Sequence, residues 1–61
     1  MRAWAQVQVR NPDHPRVGQA GVTTSQTPDN AEAVEVRFDL PDQAGATLET
    51  VQVVDLQVLA S

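Results

Sequence analysis

Few side chains in this sequence could do chemistry, and their spacing limits which kinds are open to it. The single histidine, His14, stands between Asp13 and Pro15. An imidazole titrates near neutrality and can pass a proton. No serine, cysteine or paired acid sits close enough in sequence to make it the base of a nucleophilic site. A lone loop histidine of this kind is expected to be solvated. Asp42 and Glu49 flank one loop, with nothing to fix the separation that two catalytic carboxyls need. Gly18 and Gly21 do not open a helix, so they do not read as a phosphate loop. The chain has no cysteine, and one histidine without carboxylates arranged around it cannot build a zinc site, so no metal is expected. Gln52, between Val51 and Val53, has the more specific potential, because its amide both donates and accepts and could hold a carboxamide ligand. Its plainer reading is a solvated strand glutamine. No nucleophile–base pair can be named, and a self-contained hydrolase is not expected.

These residues ride on strands. Val34-Glu35-Val36-Arg37-Phe38-Asp39-Leu40 places Val, Val, Phe and Leu on one face and Glu, Arg and Asp on the other. Glu49 to Leu59 repeats the alternation. Period two is the mark of half-buried strands, because successive side chains point to opposite sheet faces. An earlier strand reads Ala3 to Arg10, with Ala5, Val7 and Val9 in phase, and Trp4 on the polar phase. Trp4 either caps one end of the core or stands out as an anchor for a partner. Asn11 to Arg16 carries two prolines and must be a loop. Gly18 to Gln26 is a weaker strand whose glycines mark curvature or close backbone approach. Thr27-Pro28-Asp29-Asn30 and Pro41 to Gly45 have turn chemistry. Strands follow at Val34 to Leu40, Thr50 to Val54 and Gln57 to Leu59, with a 3₁₀ turn at Asp55-Leu56.

Five short strands in so short a chain predict an all-β fold, a single small five-stranded barrel over residues 1–61. The expected core is Val7, Val9, Val22, Val34, Val36, Phe38, Val51, Val53 and Leu56. Sixty-one residues form a marginal domain, since a chain of that size buries only about 60% of its unfolded surface. Without cysteine the available reinforcement is self-association. Four arginines are scattered among eight acids for a net charge of −4, which argues against a nucleic-acid partner. No apolar run approaches the roughly 20 residues of a membrane span. No apolar leader is visible either, and a cytoplasmic location is expected.

The order of a long first loop, two hairpins and a 3₁₀ turn before the last strand resembles an SH3-like barrel. Val9-Arg10-Asn11, His14-Pro15-Arg16, Gly18, Gly21-Val22 and Val36-Arg37-Phe38-Asp39 resemble the C-terminal barrel of nitrile hydratase β subunits. In that family the metal belongs to the partner subunit, so the resemblance implies scaffold and contact. Val51-Gln52-Val53-Val54, followed by Asp55-Leu56, resembles the pore-lining strand of the plasmid-type (type B) dihydrofolate reductases, with Gly21-Val22 and Thr27-Pro28 in register. That resemblance implies a homotetramer around one pore, NADPH as cofactor, and Gln52, Val53 and Arg10 as ligand-holding residues. Hydride would pass directly between ligands held together. The family's tyrosine is Val54 here, and its pore lysine has no lysine counterpart.

Two functions therefore stand side by side. The first is a non-catalytic SH3-like barrel without cofactor, acting by self-assembly or by binding a protein. The second is a reductase of the type B kind, or a reductase-like scaffold. Val51 and Val53 share the inward phase, so Gln52 and Val54 must face out. An outward valine beside an outward glutamine marks a contact surface. Thr50, Gln52 and Val54, with Trp4, are the expected interface.

Overall fold

The computed structural model describes residues 1–60. Five strands are present: β1 (Gln6–Val9), β2 (Ala20–Thr23), β3 (Ala33–Phe38), β4 (Leu48–Gln52) and β5 (Leu56–Ala60). A 3₁₀ turn, Val53–Asp55, joins the last two. All neighbours are antiparallel, in one sheet of order β4-β3-β2-β1-β5. The fold is all-β, with the strand sequence and the late 3₁₀ turn expected of a small five-stranded barrel. β1, β2 and β3 are shorter than the alternation predicts, β4 and the 3₁₀ turn each begin two residues earlier, and β5 is longer at both ends. Among the described residues no helix is long and apolar enough to cross a membrane.

The register explains which side chains meet. Residues directly opposite each other in an antiparallel pair share a face. Val7 lies opposite Gly21, Gly21 opposite Phe38, Thr23 opposite Val36, Val34 opposite Val51, and Val9 opposite Leu56. The buried cluster comprises Val7, Val9, Val34, Val36, Phe38, Val51 and Leu56. Val51 and Leu56 come from the two edge strands yet join one core, so the sheet wraps around a single apolar centre.

Two expected core positions, and Leu40 on the apolar face of its strand, are placed differently. Val22 is only half-buried, because β2 runs in the opposite phase and turns Gly21 and Thr23 inward. The reason lies in Gly21. A Cβ there would strike the backbone of Arg37 and come within 2.9 Å of Phe38 Cα. Only glycine lets β2 and β3 approach so closely with that face inward. Val53 is half-buried and packs against the rim of the core. Leu40 falls beyond the end of β3 and is exposed, although it shares the phase of Phe38.

Thr23 fills the inward position that an apolar residue would take. Its hydroxyl is fully partnered, accepting from the Ala5 N–H at 3.0 Å and donating to the Arg2 carbonyl at 2.7 Å. Satisfied polar groups of this kind are tolerated in a core. Here the pair of bonds also ties the segment before β1 across the end of β2.

Gly21→Ala should destabilise the fold by about 3 kcal/mol, because the added methyl meets backbone and cannot repack. Gly18→Ala, at φ +83 but with open space around it, should cost only about 1 kcal/mol. Urea unfolding of both variants checks the ranking, and a Gly21→Ala melt equal to the parent's would contradict the close approach.

Candidate functional site

Two groups of polar side chains are candidates, and the first is built around a residue that spacing did not single out. Arg16, in the loop between β1 and β2, is 3% exposed. Its Nε donates to Glu49 Oε1 at 3.0 Å. One terminal nitrogen donates to Gln19 Oε1 and to the Leu40 carbonyl, both at 2.9 Å. The other donates to the Ala46 carbonyl at 2.8 Å and lies 3.7 Å from Asp42 Oδ2. The guanidinium carbon stands 4.4 Å from the centre of the Phe38 ring, within cation–π range. A planar five-donor fork suits this many acceptors, and an ammonium would not.

His14 belongs to the same cluster, contrary to the expectation of a solvated loop side chain. Its Nδ1 accepts the Arg16 backbone N–H at 3.0 Å, which leaves the proton of the neutral ring on Nε2. Nε2 faces Glu49 Oε2 at 3.6 Å. Asp42 and Glu49 are thus drawn together by Arg16, not by a shared substrate. Asp42 also accepts the backbone N–H groups of Ala44 and Ala46, each at 2.8 Å. The Ala46 bond, aided by Ala44, Arg16 and Gly45, holds the Asp42 carboxyl below its usual 3.8 despite some desolvation. Every nitrogen of the guanidinium is engaged: four of its five N–H groups are hydrogen-bonded within the domain, and the terminal nitrogen that carries the fifth faces Asp42. The cluster organises two loops and β4. Among the described residues no group of three metal-ligating side chains converges.

The second group surrounds the 3₁₀ turn. Arg10 closes the end of β1 on that turn: its N–H donates to the Asp55 carbonyl at 2.8 Å and its Nε to the Val54 carbonyl at 3.2 Å. Asn11 adds a bond from Nδ2 to Asp55 Oδ1 at 2.9 Å. Thr50, Gln52 and Val54 are all exposed, and Val54 is 72% exposed. Arg10 therefore lies against the backbone of the segment that carries Gln52, Val53 and Val54, across 44 residues of sequence. Val53 differs from its neighbours in turning toward the core rim.

Trp4 is exposed, at 63%, and does not cap the core. Its φ is +61, the one positive value at a non-glycine residue among those described. The left-handed region costs a bulky residue roughly 1–2 kcal/mol. It is imposed from both sides. The Trp4 N–H donates to the Thr23 carbonyl at 2.7 Å, while Thr23 Oγ1 grips Arg2 and Ala5 on either side. The Met1 carbonyl accepts the Thr27 N–H at 2.8 Å. The strap before β1 is pinned at several points, and the indole is left outside.

No known protein-family model matches this sequence, and a search of curated proteins finds no match. The geometry therefore carries the functional argument.

Arg16→Met should destabilise the domain by about 3 kcal/mol, since it strands the Glu49 carboxylate and two carbonyls. Arg16→Lys should recover only part of that loss. Chemical denaturation of the two variants reads both numbers. The lowered Asp42 pKa has a definite sign: the folded state binds this proton less readily than the unfolded chain. Asp42 thus contributes stability above its usual 3.8, and the contribution is lost as pH falls below 3.8 through the folded value. Asp42→Asn should flatten that part of the acid limb in melts taken across pH.

Proposed function

We propose that this chain is a non-catalytic SH3-like barrel that works by associating with copies of itself. Its working surface is the outer side of β4 and the 3₁₀ turn, formed by Thr50, Gln52 and Val54. The observation that carries this reading is Val54, 72% exposed between an exposed glutamine and a buried Leu56. Packing against a second copy there would take the Val54 side chain out of water. Trp4 supports a contact role as well: a strained, exposed tryptophan is a poor choice for stability and a good one for a binding anchor. A protein partner of another kind would use the same residues.

The charge distribution favours protein over nucleic acid. Arg16 is spent inside, so three of the four arginines face outward among eight acids. A cytoplasmic setting is part of this proposal and suits a cysteine-free chain.

A second reading is kept because Arg10 reaches the 3₁₀ turn. Arg10, Gln52 and Val53 are the residues that the type B reductase resemblance assigns to ligands, and Arg10 is hydrogen-bonded within that short segment. On this reading four copies enclose a pore, NADPH and a folate lie in it, and Arg10 supplies the positive charge. The missing lysine and tyrosine place it second.

Light scattering and sedimentation of the chain are expected to give a mass above the monomer. Gln52→Glu, repeated by symmetry, brings like charges into the seam and should lower that mass. A parent that stays monomeric at millimolar concentration removes both readings. NADPH oxidation with dihydrofolate separates them, and no turnover is expected. Trp4→Gly should raise stability by about 1 kcal/mol by releasing the left-handed strain, while weakening association. A destabilised Trp4→Gly would show that the indole serves the fold.

A further inference from the structure

An open groove beside the strap carries a charge balance opposite to that of the whole chain. It measures about 650 Å³ and is lined by Met1, Arg2, Thr27, Asp29, Val53 and Val58 among others. Its charged groups are the Met1 ammonium, Arg2 and Asp29, two cations against one anion, in a chain of net −4. Neither Arg10 nor Gln52 lines it, so it is not the ligand site of the reductase reading.

The ammonium is fixed in place. It donates to the Thr27 carbonyl at 2.8 Å, and the Thr27 N–H donates back to the Met1 carbonyl at 2.8 Å. Two of its three N–H groups make no hydrogen bond among the described residues. Asp29 Oδ1 stands 3.8 Å away, too far for such a bond, and its carboxylate is fully exposed. An ion pair that open contributes little. Arg2 is held through its carbonyl, which accepts from Thr23 Oγ1 at 2.7 Å. The residue is exposed and makes no ion pair among the described residues. The rest of the lining is largely apolar. Met1 and Val53 pack against the core, and Val58 is 49% exposed.

We propose that this groove binds a small monocarboxylic acid with a short apolar tail. The two free N–H groups of a pre-placed ammonium match the two oxygens of a carboxylate, at little ordering cost. Arg2 adds a second positive charge. One negative charge balances the groove, whereas a polyanion would meet the chain's surplus of acids. The tail lies against Val53 and Val58 and removes their apolar surface from water. The site is complete within one subunit and does not depend on self-association.

The test is a titration of the full chain with octanoate, followed by two-dimensional NMR. Saturable shifts centred on Arg2, Thr27 and Val58 are expected. Octanamide has the same tail without the charge and should bind about tenfold more weakly. Equal binding of the two would show apolar adsorption alone and overturn the proposal. Arg2→Gln should weaken octanoate about threefold. A Gly-Ser extension ahead of Met1 replaces the ammonium by a peptide N–H that can still donate to Thr27. The circular dichroism of that variant should match the parent's, while octanoate affinity falls about tenfold. A folded extension that keeps the parent's affinity overturns the site. Should the extension lose the parent's spectrum, Arg2→Gln decides: weakened binding supports the site, and unchanged binding overturns it. Octanoate that shifts other residues, or none at millimolar concentration, overturns it as well.

Discussion

The buried guanidinium of Arg16 is the constraint on which the rest of the structure depends. The domain has a small core of valines, one phenylalanine and one leucine, and it has two long loops that no disulfide holds. Arg16 takes one acceptor from β4, two carbonyls from the loop after β3 and one side chain from its own loop. It stacks on Phe38 from above. One side chain thus fixes where both loops lie against the sheet. An apolar residue of similar volume would avoid the desolvation penalty of a buried charge. It could not satisfy two loop carbonyls that would otherwise be left without donors. Arg16 serves register and loop placement more than raw stability.

A second system at the other end does similar work with neutral groups. Thr23 and the backbone of Met1 and Thr27 pin the strap before β1. Together with Gly21, which lets β2 lie close to β3, they explain why β2 turns its valine outward. The strap's bonds also force Trp4 into the left-handed region. The fold holds a strained indole in solvent and does nothing with it internally.

The alternation in β1 and β3 made the inward set of Val7, Val9, Val34, Val36 and Phe38 legible from sequence, because those strands carry branched residues at every second position. β2 was not legible in phase. Its inward residues are Gly21 and Thr23, which carry no hydrophobic signal, and Val22 between them carries the wrong one. Arg16 was hidden for a different reason, since its acceptors are backbone carbonyls and residues up to 33 positions away. One signal did exist. Glu49 shares the inward phase of Val51, and an acid on that face needs a buried cation. His14 was misjudged for the same reason: its environment is made by Glu49, not by its sequence neighbours. The outward placement of Thr50 and Gln52 followed from parity, whereas Val54 lies in the 3₁₀ turn, where period two no longer applies.

What remains after the core and loops are accounted for lies on the outside, and it breaks the rules for a solitary small domain in consistent ways. Val54 is wetted, Trp4 is strained and exposed, and Val58 and Leu59 on the edge strand β5 are each about half exposed. In a well-adapted sequence, local choices that conflict with monomer stability gather at working surfaces. The interior shows the opposite pattern. Arg16 and Thr23 spend their polar atoms on the domain's own loops, strap and strands. Apolar side chains left uncovered at the rim, beside an interior whose polar groups are turned to holding loops and strap, support the proposed role in contact with protein. On the proposed reductase-like alternative, the ligand site is assembled from several copies, with Arg10 and Gln52 contributed by more than one.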